Sequence, residues 1–389
     1  MSDLDMRTAV RLAMPAFVTG KAVSLGVGYA AVWIHWGQPG LPAWSAVSQA
    51  FSNWDGESYQ MIAENGYPSG PIDPHVGAAG HLWAFFPGFP IAVHAASLVL
   101  VNTVLTAIVL NAVFELVALA FVVRLVALER GDDESAENAA WLVAVYPYAI
   151  FLTVFYSESM FLAAAAAALY YMRRAENGDH ARACLAAAVA TATRVTGLAL
   201  LLPIILERFL RTRRVNDAPM LLAGVIVVPV LAFMIYAHAQ TGDALAWYHI
   251  EGSQSYGSRT LDWPWNGFRV TWDSARALRA DQYGFIFTLE VFFGLFGLAL
   301  LGVQWFATIW PAPRFPPSFA LYSAAVVLPP LCLSWWISTP RYLMAMIPMY
   351  LLGADLLRWC PGLRLPFITA SAALMSFGTV ILTTVSFLA

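Results

Sequence analysis

Apolar residues come in runs of roughly 20 along almost the whole chain, cut by short polar segments that hold nearly all the charge. Such a run is the length a helix needs to cross a bilayer. The runs do not alternate apolar with polar at period two, which argues against a membrane β-barrel. The pattern predicts an all-α polytopic membrane protein with about 8–11 transmembrane or re-entrant helices.

The first run, Pro15 to Trp36, follows Arg7 and Arg11. Under the positive-inside rule its start faces the cytoplasm. Lys21 lies low in the run and is expected to snorkel back to the near interface. Residues 37–84 contain no Lys or Arg but do contain Asp55, Glu57, Glu64 and Asp73, so they form a first extracytoplasmic loop. Prolines divide it, and residues 45–65 are expected to form a helix along the interface. Residues 85–100, broken twice by proline, suit a re-entrant piece; one span then runs from Thr103 to Leu128.

After a cytoplasmic loop at 130–137, a span from Ala139 to Phe155 rises to Tyr156-Ser157-Glu158-Ser159. An alanine-rich span returns from Met160 to Arg173-Arg174. Glu158 therefore emerges on the same face as Asp55. Residues 183–206 are flanked by arginine on both sides yet are too few for two full spans. Two shortened helices bent at Thr193-Arg194-Val195-Thr196-Gly197 reconcile length with charge; a single span with the second arginine cluster outside is the alternative. An arginine within such apolar sequence costs roughly 2.5–3.5 kcal/mol, so Arg194 should face a cavity or a partner. A span from Met220 to His238 leads to a second large extracytoplasmic loop, 239–284. Spans at 285–310, 318–337, 341–357 and 365–388 complete one integral-membrane domain over 1–389, with Arg358 and Arg364 bracketing a cytoplasmic turn.

Composition agrees: 60% of residues are hydrophobic and 12% charged, against about 25% charged in soluble domains. A net charge of −3 gives no footprint for nucleic acid. Cys184, Cys332 and Cys360 lie far apart and suit packing. No short apolar region followed by Ala-x-Ala opens the chain, so the first run is expected to stay as a span. His75, His81 and Asp73 fit no standard metal spacing; neither metal nor cofactor is expected.

One membrane face thus collects Asp55, Glu57, Glu158, Arg259, Arg341 and, at the bend, Arg194. Carboxylates beside arginines suit transfer of a sugar from a lipid phosphate. An acid takes the acceptor proton and cations stabilise the leaving phosphate. Trp54, Tyr59, Tyr67, Trp263 and Trp265 are candidates to stack on sugar faces. Each residue also has a plainer reading. Asp55 is a preferred helix N-cap, Glu57 and Glu64 suit a solvated helix face, Glu158 can cap the alanine-rich helix, and Arg341 can anchor an interface.

Trp54-Asp55-Gly56-x-x-Tyr59-x-x-Ile62-Ala63-x-x-Gly66-Tyr67 resembles the first-loop signature of the PIG-V-like mannosyltransferases, which have many bacterial homologues. Phe85-Phe86-Pro87-x-Phe89-Pro90, Pro147 with Phe155-Tyr156-Ser157-Glu158-Ser159, and Thr193-Arg194-x-x-Gly197 with Pro203 and Glu207 follow in the family's order. So do Gln254, Arg259 and Pro264, and then Pro340-Arg341-Tyr342. The later loop departs from the family, with Tyr256-Gly257-Ser258-Arg259 where a tryptophan usually precedes the arginine. The resemblance implies a GT-C fold, a polyprenyl-phosphate-mannose donor, inversion at the anomeric carbon, and a first-loop carboxylate base that carries onto Asp55. Glu158 and Glu57 are then expected to orient acceptor or base, and Arg341, Arg194 and Arg259 to meet the lipid phosphate. Trp54, Tyr59, Tyr67, Gln254 and Tyr342 are expected to contact substrate. The alanine-rich, arginine-over-lysine composition suggests a bacterial envelope, with a glycolipid, glycan or protein acceptor. A flippase of lipid-linked sugars, and a GT-C enzyme using a polyprenyl-phosphate arabinose or glucose, are the alternatives.

Overall fold

The structure is a computed structural model that describes residues 4–36, 40, 43–71, 80–214, 218–253, 258–278, 282–309 and 315–384. The first helix, α1 (Met6–Trp36), is followed by two short helices, α2 (Trp44–Phe51) and α3 (Asp55–Asn65). The expected helix over 45–65 is thus two, broken at Ser52-Asn53-Trp54. Trp54 takes a positive φ of 60°, so α2 cannot run on into α3. A 3-10 turn at His81–Ala84 leads to α4 (Gly88–Leu100), the short re-entrant-length piece, and to α5 (Thr103–Arg130). Asn102 caps α5 by accepting from Leu105 N at 2.8 Å.

The run expected to cross as one helix over 139–155 does not. Helix α6 (Asp133–Ala144) begins earlier, on an Asp132 cap, and stops before Pro147. The chain then passes through a 3-10 turn at Ala149–Leu152 and irregular backbone until α7 (Glu158–Arg174). Helices α8 (Asp179–Thr193) and α9 (Leu201–Thr212) are the two shortened helices, bent at Arg194 and joined by a 3-10 stretch at Val195–Leu200.

Beyond them lie α10 (Val228–Thr241), α11 (Ala246–Glu251), α12 (Pro264–Ala277), α13 (Gln282–Ile309) and α14 (Pro317–Leu331). The expected span at 341–357 is split into α15 (Thr339–Met344) and α16 (Pro348–Trp359), because Pro348 opens a new helix; α17 (Arg364–Thr383) follows. Among the described residues, five helical segments are long and apolar enough to cross a membrane: Met6–His35, Thr103–Arg130, Pro219–Thr241, Tyr283–Ile309 and Pro361–Thr383.

The core lies where α5, α6 and α7 meet α1. It is filled by Leu119, Val122, Val123 and Leu125 of α5 and the alanines Ala163 to Ala168 of α7. Small side chains let these backbones approach closely, the packing mode available where lipid gives no hydrophobic drive between helices. Lys21 does not snorkel. It is buried, ion-paired with Glu115 of α5, and donates to Leu152 O at 2.8 Å.

Candidate active site

The irregular backbone gathers at one end of the bundle, and there the charged residues converge. Asp55 opens α3, Glu158 opens α7, Arg194 sits at the α8 bend and Arg341 lies in α15. Arg341 Nη1 donates to Asp55 Oδ2 at 3.1 Å, and its Nε lies 3.8 Å from Glu158 Oε1. Arg194 Nη1 donates to the same Glu158 oxygen. Two carboxylates are therefore linked through one guanidinium, with a second guanidinium behind. Glu158 and Arg341 side chains are only 5% and 9% exposed, yet Glu158 Oε2 and Arg341 Nε have no hydrogen-bond partner. Buried polar atoms are normally satisfied, so this capacity calls for a ligand or water. The atoms line a small cavity of about 20 Å³ walled by Phe161, Leu162, Val326 and Tyr342.

Local structure explains the placement. Asp55 follows the positive-φ Trp54, and Tyr156 Oη donates to Asn53 O at 3.2 Å, tying the α2–α3 turn to the segment before Glu158. Phe155 N donates to Phe51 O at 2.9 Å, a second tie. Gly197 lets the α8 bend close, since a Cβ there would lie 2.3 Å from Thr191 N. Arg341 lies over the rings of Phe151 and Tyr156, 5.0 and 5.5 Å from their centroids, a cation–π seat for a nearly dry guanidinium.

Glu57 is exposed: two residues on from Asp55 along a helix, it points elsewhere. Trp54 is 40% exposed. Tyr59 is buried, sharing a hydrogen bond of 2.8 Å with Ser157 Oγ and packing edge-on against Phe85, so its ring face is not on offer. Tyr67 stacks on Trp83 at 4.6 Å, and its hydroxyl donates to Phe85 O at 2.6 Å. It lines a second, apolar groove of about 670 Å³ with Ile62, Pro90, Ile91 and Phe233. Tyr342 lies half-buried beneath Arg194. Trp263 and Trp265 stack on each other in the exposed second loop. Gln254 lies outside the described residues, as do Asp73 and His75.

Arg259 Nη1 donates to Glu251 at 3.4 Å. Burial raises the Glu251 carboxyl, and the positive charges of Arg259, Arg194 and Arg341 oppose that rise. Glu251 is therefore within electrostatic reach of the cluster, a member that no spacing in the sequence singled out. His81 Nε2 lies 3.0 Å from Ser58 Oγ; burial lowers its imidazole against the opposing pull of Asp55 and Glu57. Among the described residues no group of three or more His, Cys, Asp or Glu could hold a metal.

Residues 42–239, which contain Asp55, Glu158 and Arg194, match the family described as Mannosyltransferase (PIG-V). The chain belongs to the PIG-V mannosyltransferase family. A curated relative, the GPI alpha-1,6-mannosyltransferase 2 of Cricetulus griseus, is 32% identical over 161 residues. That match covers 38% of this chain and 29% of the relative, so this chain aligns with less than a third of its relative's length. Among solved structures it resembles ArnT from Cupriavidus metallidurans bound to undecaprenyl phosphate. The TM-score is 0.52 at 13% identity, over 95% of this chain and 76% of that one. It also resembles the Archaeoglobus fulgidus oligosaccharyltransferase tethered with an acceptor peptide containing the NVT sequon. There the TM-score is 0.51 at 13% identity, over 96% of this chain and 55% of that one. This chain thus has the GT-C glycosyltransferase fold.

Proposed function

We propose that this protein is an inverting glycosyltransferase that moves mannose from polyprenyl-phosphate-mannose to an acceptor hydroxyl at the extracytoplasmic face. The observation that carries the reading is the cluster itself: Arg341 bridges Asp55 and Glu158 beside Arg194, in a cavity with unsatisfied buried polar atoms. A lipid phosphate entering it competes for the guanidinium that Asp55 now engages. Asp55 then takes the proton of the acceptor hydroxyl as that oxygen attacks the anomeric carbon from the face opposite the phosphate. The bond from that carbon to the phosphate oxygen breaks, and its electrons leave with the phosphate, whose charge Arg341 and Arg194 stabilise. Glu158 holds both guanidiniums in place. Membership of a mannosyltransferase family supports the sugar. A solved structure of the same fold bound to undecaprenyl phosphate, and another tethered with an acceptor peptide, support a lipid-phosphate donor and a separate acceptor.

The test uses purified protein in detergent with polyprenyl-phosphate-mannose and other polyprenyl-phosphate sugars, products being read by mass spectrometry. With no sealed membrane, a flippase yields no product. Asp55→Asn should fold normally and lower transfer by about 10²–10⁴-fold. Transfer near the wild-type rate by that variant would overturn the base assignment.

A further inference from the structure

Lys21 and Glu115 form a buried ion pair in the middle of two candidate spans, with 8% and 2% of their surfaces exposed. The proposed chemistry uses neither. Their surroundings show what they hold. Lys21 Nζ donates to Leu152 O and to Thr153 Oγ1, both at 2.8 Å, and Ser24 Oγ lies 2.9 Å from the same threonine oxygen. One turn before Glu115 on α5, Asn111 Nδ2 donates to Val154 O at 2.5 Å and to Tyr156 O at 3.1 Å. The carbonyls of Leu152, Val154 and Tyr156 are thus each engaged by a side chain from α1 or α5. Backbone that leaves the helix at this depth has no water to satisfy it, so it persists only where protein supplies partners.

This segment is tied to the elements that carry both carboxylates of the cluster. It runs directly into Ser157 and Glu158, and through Phe155 and Tyr156 it is bonded to Phe51 and Asn53, which precede Asp55. We infer that Lys21, Glu115 and Asn111 are positioning residues. They fix the irregular backbone of 152–156 and so set the separation of Asp55 from Glu158. Lys21 supplies the donors, Glu115 pairs with its ammonium and aims it, and Asn111 continues the clamp by one turn. For activity the inference rests on the transferase reading above; for structure it does not.

The experiment compares the full-length wild type with Lys21→Met/Glu115→Met and, separately, Asn111→Leu. Replacing both members of a buried pair by apolar residues is often neutral or stabilising, so the double variant is expected to fold; Asn111→Leu changes no charge and serves if it does not. Hydrogen exchange in detergent is followed over residues 149–158 and, as a control, over 160–172. Exchange over 149–158 should quicken by about tenfold in either variant while the control stays protected. Turnover of polyprenyl-phosphate-mannose should fall by about 10²-fold, the cost of a misplacement near 1 Å. A staple that merely joins α1 to α5 leaves both readouts at wild-type values in a folded variant, and that result overturns the inference. If the wild type forms no product, the transferase reading fails, and the exchange data still decide the clamp.

Discussion

Arg341 is the residue on which the cluster depends. It meets Asp55 across 286 positions of sequence, approaches Glu158, and lies over two aromatic rings. A lysine in its place keeps the charge but is a single point donor. It loses the planar fork that faces two carboxylates and, in the proposed reaction, the donor phosphate. Arg341→Lys should therefore fold and bind membrane as the wild type does, yet turn over polyprenyl-phosphate-mannose about 10²-fold more slowly. A rate within a factor of two or so of wild type would mean that charge alone suffices. Charge counting along the chain put Asp55, Glu158 and Arg341 on one face, because each stands at the end of an apolar run, and Arg194 joined them only through the bend read into 183–206. It could not pair them, since pairing depends on helix contacts between distant segments. Glu251 and Glu290 were illegible for the same reason. Glu290 lies inside an apolar run, and only the fold brings it to accept from Ser338 N and Thr339 N, at 2.9 and 2.7 Å, just ahead of Arg341. Tyr59 and Tyr67 were read as sugar platforms from residue type; Tyr59 is buried against Phe85, whereas Tyr67, half-buried and stacked on Trp83, stands at the wall of the second groove.

At the scale of elements, the bend at Arg194 shows how far length and charge can go. Two arginine-flanked ends and too few residues between them required a break, and Thr193-Arg194-Val195-Thr196-Gly197 supplied it. The breaks at Ala144 and Ala345 gave no such arithmetic. Hydropathy cannot distinguish a helix from irregular backbone whose carbonyls are satisfied by Lys21 and Asn111 from elsewhere in the chain. The bend is also where a small change should be most costly. A Cβ at Gly197 would lie 2.5 Å from Ala190 C and Thr191 Cα, all backbone, with no flexible side chain to move aside. Gly197→Ala should destabilise the protein by about 1–3 kcal/mol, as overpacking does, and shift Arg194 away from Glu158. Thermal unfolding in detergent checks this, and an unchanged midpoint would mean that α8 and the 3-10 stretch are not held as closely as described.

At the scale of the whole molecule, the two ends of the bundle differ in charge logic. At one end the arginines are tied to acids that join helices: Arg130 to Asp355 at 2.7 Å, Arg358 to Asp132 at 2.9 Å, Arg364 to Glu137 at 2.7 Å and Arg173 to Glu129 at 2.5 Å. At the other end Glu158, Arg194 and Arg341 line a cavity, and Asp55 is paired with Arg341 beside it. Helix α7 separates them: its 17 residues span about 25 Å from Glu158 to Arg174. Hydropathy alone yields a polytopic helical chain; the GT-C arrangement became legible through the ordered motifs of the family rather than through periodicity. Which end faces the cytoplasm follows from the positive-inside rule, and that is open to direct test. Cys360 lies exposed between α16 and α17 on the arginine-rich end, whereas Cys184 is buried. Ser69, exposed after α3, belongs to the loop that carries Asp55. In intact cells a membrane-impermeant maleimide should label Ser69→Cys in a background lacking the native cysteines, and should reach Cys360 only after permeabilisation. The reverse pattern would place Asp55 on the cytoplasmic side and remove the extracytoplasmic transfer proposed for it, while leaving the fold and the family untouched.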